Sequence, residues 1–290
     1  MHRRHLLAAV GLGAATAGCA GVPGTGDGPD DGSTGTPSPT SSTDPTTTTA
    51  GPTPTVPDGL AALAVRKAVH YESMMGSGGV YAATGTQYVV AQVEEGGEPD
   101  AYRLETDAGT FEPGLPAGAG AMNRTVAGIP VQWTEDATAV GFAVPSPLET
   151  TSAAIVETGG AGRRIPLGEA AVATLAAPEP RFALRSLEVP ETVDRGRTLT
   201  VSLTVENTSG TDGRFLAALS FPTERVADDD ESTIVDRQVD AGETVTVERG
   251  IGTGWSARET GTLALSVRGH VDAERDVRVV VSTATTATGG

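Results

Sequence analysis

Few side chains in this 290-residue sequence could do chemistry by themselves. There is one thiol, Cys19, and there are four imidazoles, His2, His5, His70 and His270. A metal centre or a Ser-His-Asp triad needs imidazoles held against carboxylates or against one another. His2 and His5 stand in the first five residues, and His70 and His270 are two hundred residues apart, so the last two read as strand residues. The run Asp228-Asp229-Asp230-Glu231 could offer carboxylate oxygens to Ca²⁺. It lacks the alternating ligand spacing and the glycine of an EF-hand loop, so it reads as solvated surface, with a calcium site as the alternative. Gly76-Ser77-Gly78-Gly79 lacks the Gly-Lys-Ser/Thr ending of a phosphate loop and reads as a flexible loop. Asn123-Arg124-Thr125 and Asn207-Thr208-Ser209 fit the N-glycosylation pattern, which a Thr-rich chain also meets by chance. Trp133 and Trp255 read as core or loop-anchoring aromatics. No nucleophile is paired with a base, so the expectation is a non-enzymatic chain with no cofactor and no catalytic metal.

The lone cysteine is placed more tellingly. Arg3 and Arg4 precede an apolar stretch from Leu6 to Ala17, and Gly18 and Cys19 follow it. A charged start, a short apolar core and small residues at the end make a signal peptide. The stretch is too short to span a hydrocarbon layer of roughly 30 Å. The arginine pair resembles a twin-arginine export signal. Thr16-Ala17-Gly18-Cys19 resembles a lipobox, in which small residues admit a peptidase and the thiol is alkylated by lipid. The resemblance implies cleavage after residue 18 and anchoring to the outer face of the cell membrane through a lipid on Cys19.

Composition bounds the partners. There are 37 acidic and 20 basic residues, for a formal net charge of −17, and Lys67 is the only lysine. An acidic surface repels phosphate, so nucleic acid is not an expected partner. Dispersed carboxylates, scarce lysine and scarce aromatics suit a protein that works in concentrated salt, where screening relieves like-charge repulsion.

From residue 19 to 57 the chain reads as a disordered stalk. Ser33 to Val56 holds ten Thr, four Ser and five Pro, which cannot bury enough apolar surface to offset chain entropy. Extended, the stalk would reach on the order of 110 Å; as a coil, about 35 Å. Beyond it, period-two alternation broken by Gly, Pro, Asn and Asp predicts strands and turns. Residues 58–178 and 181–282 are expected to form two β-sandwiches, parted at Pro178 and Pro180, with a disordered tail at 283–290. In the first, Leu63, Val65, Val69 and Tyr71 alternate, and Tyr88 and Val90 face away from Val89, Ala91 and Val93. Hairpins are expected at Asp107-Ala108-Gly109 and at Gly159–Gly162, with one short helix over Gly168–Ala176. In the second, seven strands are expected, at Phe182–Val189, Thr198–Asn207, Arg214–Phe221, Ser232–Val239, Thr244–Gly250, Gly261–Gly269 and Arg275–Ser282. That is the count of an immunoglobulin-like sandwich.

Leu187-Glu-Val-Pro-Glu191, Leu199 to Asn207, and Val239-Asp-Ala-Gly-Glu-Thr-Val-Thr-Val247 resemble the cell-adhesion-related (CARDB) immunoglobulin-like modules of prokaryotic surface proteins. Gln87 to Val93, Arg103 to Asp107 and Gly141 to Val144 resemble the telokin-like, immunoglobulin-related domains of prokaryotic lipoproteins. As a whole the chain resembles haloarchaeal lipoproteins. These resemblances imply an all-β fold of two tandem immunoglobulin-like sandwiches and a place at the cell surface, with no reaction attached. The expected role is protein–protein contact with an extracellular partner. The alternative is an accessory subunit that binds a solute or polysaccharide for a transporter or enzyme.

Overall fold

The computed structural model describes residues 56–73, 78–95, 97–115, 123–130, 137–159, 162–222 and 232–282. All of them fall in one compact unit, Pro52–Gly290. The chain is mostly β, as the alternating pattern predicts.

Eleven strands and the helix come from the N-terminal half. They are β1 (Leu60–Arg66), β2 (Val69–Ser73), β3 (Gly78–Tyr81), β4 (Thr86–Glu94), β5 (Tyr102–Thr106), β6 (Gly109–Phe111), β7 (Asn123–Val126), β8 (Ile129–Pro130), β9 (Ala137–Pro145), β10 (Ala153–Glu157), β11 (Arg164–Pro166) and α1 (Glu169–Ala176). They form three sheets, ordered β1-β4-β9, β11-β10-β5-β6 and β3-β2-β7-β8. The first of these lies in the middle. One face, with Val89, Ala91, Val93 and Phe142, packs on Tyr102, Leu104, Ile155 and Leu175. The other face, with Ala64, Tyr88 and Val90, packs on Val69, Val126 and Ile129. β4 is therefore apolar on both faces, and the run from Tyr88 to Val93 reads that way because each side of the strand serves a different core. A two-sheet sandwich was expected; the third sheet is the difference.

The alternation over Leu63 to Tyr71 proves to be two strands in two sheets, broken at Lys67-Ala68. A polar node fixes the break. Lys67 Nζ donates to Gln87 Oε1 at 2.8 Å and to the Ala177 carbonyl at 2.6 Å, at the C-terminal end of α1. Gln87 is fully buried, and its Nε2 donates to the carbonyls of Pro145 and Leu175 at 2.7 and 2.8 Å. One lysine and one glutamine thus satisfy the open end of the only α-helix among the described residues and tie it to β4 and β9. Burial pushes the Lys67 pKa down, partly countered by the charge of Glu179. Asp107, in the predicted hairpin turn, accepts hydrogen bonds from the hydroxyls of Thr150 and Thr151 and from the Thr151 N–H. These bonds hold its carboxyl well below the usual range.

The C-terminal half contributes β12 (Phe182–Glu188), β13 (Thr192–Asp194), β14 (Thr198–Asn207), β15 (Gly213–Ser220), β16 (Ser232–Val239), β17 (Thr244–Gly252), β18 (Gly261–Gly269) and β19 (Ala273–Val280). Its sheets are ordered β12-β14-β17 and β13-β19-β18-β15-β16. They enclose one core, with Leu199, Leu203, Phe215, Val235, Leu265 and Val277 among its members. Every expected strand is present within two residues at each end. β13 was not foreseen; it is only three residues long and pairs in parallel with β19. No helix among the described residues is long and apolar enough to cross a membrane.

Candidate functional site

Several sequence-selected residues, Arg3, Arg4, Cys19, Trp133 and the run Asp228, Asp229, Asp230 and Glu231, lie outside the described residues. Asn123 opens β7, paired with Ser73. Asn207 ends β14 fully buried. Its Nδ2 donates to the carbonyls of Thr211 and Val239 at 2.8 and 3.1 Å, and its Oδ1 accepts from the N–H and hydroxyl of Ser209. An amide with both protons engaged inside a turn is not presented to solvent, so a folding role replaces the sugar site at Asn207. Trp255 is 53 % exposed and is not a core residue. Among the described residues no group of three or more His, Cys, Asp or Glu side chains could hold a metal ion.

The two halves meet at a seam that the sequence does not announce. Gly78 and Gly79, expected in a loop, open β3, which lies against β15, β16 and β18. On β15, Phe215, Ala217 and Leu219 face the core of their own half. Leu216 and Ala218 alternate with them and so point away from that core, yet they are 0 % and 4 % exposed. The N-terminal half covers them. The hydroxyl of Ser232 on β16 donates to the Gly78 carbonyl at 2.7 Å. At Gly79 an added Cβ would sit 2.4 Å from the Tyr71 hydroxyl oxygen, so the tyrosine side chain would have to move. Gly269 is more tightly constrained, since it has φ +151° and its Cβ would fall 2.5 Å from the backbone carbonyl oxygen of Leu216.

His270 stands one residue beyond β18, at the same seam. Its ring packs edge-on to Phe182 at 4.8 Å and stacks with Phe215 at 5.9 Å. Its Nδ1 lies 2.9 Å from the Leu216 nitrogen and 3.2 Å from the Leu216 carbonyl oxygen; it accepts from the N–H when the proton is on Nε2 and donates to the carbonyl when it carries the proton itself. Burial lowers its pKa to about 4, partly countered by the Leu216 backbone. His270 is therefore a neutral, structural histidine at neutral pH. Beside it is an open cleft of about 470 Å³, walled by Tyr81 and Tyr88 on one side and by Arg268 and Asp272 on the other. Tyr71 and Tyr81 stack at 4.8 Å, and Tyr88 follows at 6.1 Å. Burial, and then the neighbouring tyrosines, raise the Tyr81 pKa to about 12. The Tyr81 and Tyr88 phenols stay protonated and neutral.

A second cleft, of about 550 Å³, opens where β1 and the end of α1 approach β15. Arg66, Lys67, Arg214, Asp212, Gln238 and Thr211 are among its lining residues. Arg214 makes a two-pronged ion pair with Asp236, one bond from Nε to Oδ1 at 2.7 Å. Among the described residues, Arg66 donates only to its neighbour's carbonyl, that of Val65, at 3.0 Å. Partial desolvation in the cleft, and then the charge of Arg214, push the pKa of the solvent-exposed Arg66 down. Nothing in the sequence pattern brings Arg66 and Arg214 together; only the seam does.

No protein-family model matches the chain, and no curated protein sequence matches it. Among solved structures, a β-glucosidase from Listeria innocua is similar at 19 % identity and a TM-score of 0.30, over 35 % of this chain and 16 % of that one. A β-glucosidase from Erythrobacter marinus is similar at 16 % identity and a TM-score of 0.30, over 35 % of this chain and 16 % of that one. An alkylpurine DNA glycosylase from Pseudomonas fluorescens is similar at 13 % identity and a TM-score of 0.29, over 36 % of this chain and 31 % of that one. The chain spans less than a third of each, and likenesses of this degree carry no argument about activity.

Proposed function

We propose that the chain is a non-enzymatic, lipid-anchored protein displayed outside the cell membrane. On this reading residues 1–18 are a cleaved, twin-arginine-like signal and Cys19 carries the lipid. Residues 19–57 are a stalk, and two immunoglobulin-like sandwiches make contacts with an extracellular protein. The strand order of the C-terminal half supports an immunoglobulin-like assignment, because three strands face five and the short β13 joins β19 in parallel. The N-terminal half is read as a telokin-like sandwich extended by a third sheet.

The observation that carries the display reading is the seam. Leu216 and Ala218 are buried beneath β3 rather than within their own core. Two sandwiches held at one angle keep their outer faces in a fixed relation, as a docking platform on a tether requires. One such face carries the hydroxyls of Thr204 and Thr246, 2.9 Å apart across β14 and β17.

Fractionation tests the anchor. In cells producing the full chain, the wild type should sediment with membranes and be shaved from intact cells by added protease, while Cys19→Ser should appear in the medium or fail to mature. A wild type that stays protected inside the cell would sink the proposal. Cross-linking on intact cells tests the contact role: a discrete heavier species is expected, and the monomer alone would remove that part of the reading.

A further inference from the structure

The cleft between β1 and β15 combines features that a merely structural crevice does not need. Arg66 and Arg214 line the same cleft, in a chain that carries 37 carboxylates against 20 basic residues. Arg214 is already neutralised by Asp236. Arg66 is not: it is exposed, and among the described residues no carboxylate stands within ion-pair distance of it. A guanidinium has five N–H donors in a planar fork, and here only one bond, to the Val65 carbonyl, engages them. In a protein of net charge −17, an exposed guanidinium with no carboxylate partner among the described residues, set in a cleft beside an ion pair, is available to an anion from outside.

The rest of the lining narrows the kind of anion. Asp212 is on the wall, held by the Ala241 N–H at 2.9 Å. A multiply charged phosphate would be repelled by it. Gln238, Thr211 and Thr174 offer amide and hydroxyl groups instead. Lys67 gives two of its three N–H donors to Gln87 and Ala177, so it adds charge to the wall with one donor to spare. The volume of about 550 Å³ falls within the roughly 300–1,000 Å³ of small-molecule sites. A planar, singly charged carboxylate matches the fork of Arg66 in two parallel bonds, and hydroxyls on the same molecule match the neutral groups.

We infer that this cleft binds a small hydroxylated carboxylate, such as a sugar acid, with the guanidinium of Arg66 as the carboxylate ligand. The site goes beyond the display reading and does not depend on it, since binding can be measured on purified protein wherever the chain resides in the cell.

The full chain is titrated calorimetrically with galacturonate, with lactate as a plain hydroxy acid, with galactose as a neutral sugar and with sulfate as an inorganic anion. Saturable binding of galacturonate or lactate is expected, with a raised melting midpoint, weakening as chloride is added. Galacturonate alone would indicate a sugar acid, and both together a general hydroxy acid. Arg66→Gln should weaken binding about tenfold or more, the effect of losing charge-assisted hydrogen bonds. Arg66→Lys, which keeps the charge and loses the fork, should fall between. Without ligand, Arg66→Gln should melt close to wild type, because among the described residues the Arg66 side chain bonds only the carbonyl of its neighbour Val65. Binding of sulfate or galactose in preference to both carboxylates overturns the inference, as does absence of binding by all four. Wild-type affinity in Arg66→Gln, or a lower midpoint without ligand, overturns the assignment to Arg66.

Discussion

Ser232 and Gly78, 154 residues apart in sequence, meet where the two halves touch, the serine hydroxyl donating to the glycine carbonyl at 2.7 Å. The bond is one visible point of a larger contact in which β3 roofs the outward face of β15. Its energetic weight lies mainly in the buried apolar groups. Covering one leucine such as Leu216 stabilises by about 2 kcal/mol, whereas a single neutral hydrogen bond contributes about 1 kcal/mol.

The Lys67–Gln87 node should be among the costliest polar positions to disturb. Gln87→Leu leaves the ammonium of Lys67 and the carbonyls of Pro145 and Leu175 without their partner in a buried setting. A loss of about 2–4 kcal/mol is expected, read as a lower denaturation midpoint at unchanged slope. Unchanged stability in Gln87→Leu would show that the node does not hold α1.

His270 makes a signed prediction for acid. Its folded pKa, about 4, lies below the ordinary 6.5, so the unfolded chain takes up the proton more readily than the folded one. The stabilising effect is complete above pH 6.5 and is lost as the pH falls towards 4, by about 3 kcal/mol in all. Arg268 and Asp272 on its own side, and Tyr81 and Tyr88 opposite, are the other titratable groups at this cleft; the tyrosines do not titrate in that range. His270→Gln should flatten the stability profile between pH 6.5 and 4. A variant whose profile keeps the wild-type slope would assign the acid sensitivity elsewhere.

Salt should stabilise the fold. In dilute buffer the Debye length is about 30 Å, and carboxylates repel across a whole sandwich; at 1 M it is about 3 Å. With 37 acidic against 20 basic residues, the melting midpoint should rise steadily from dilute buffer to molar KCl. A flat or falling midpoint would remove the reading of a protein adapted to concentrated salt, and would return the Asp228–Glu231 run to consideration as a calcium site.

Local order was the most legible part of the sequence. β14 was expected over Thr198–Asn207 and occupies those residues, because alternating Leu, Val and Thr with an Asn turn leaves one register that buries the apolar set. The faces of β4 were legible from alternation, but its burial on both sides was not read, although the apolar run from Tyr88 to Ala91 carries that signal. The break at Lys67-Ala68 was not legible, since the partners that fix it, Gln87 and Ala177, are distant in sequence. β13 is too short to show a period. The seam had a signal that local reading passes over: Phe215-Leu216-Ala217-Ala218-Leu219 is apolar without alternation, the mark of a strand covered on both faces. The cleft at Arg66 had none, because no pattern within one strand reveals a cation supplied by another.

The central claim is that the two halves form one body at a fixed angle. It is tested most directly by pulsed electron–electron distance measurement on the Cys19→Ser chain, with spin labels at Thr110→Cys on β6 and Thr244→Cys on β17, both exposed positions. A single narrow distance distribution is predicted, broadening when Leu216→Asp is added to force the seam apart. A broad distribution in the chain without Leu216→Asp would mean that the halves swing independently about Pro178–Pro180, and would contradict the account.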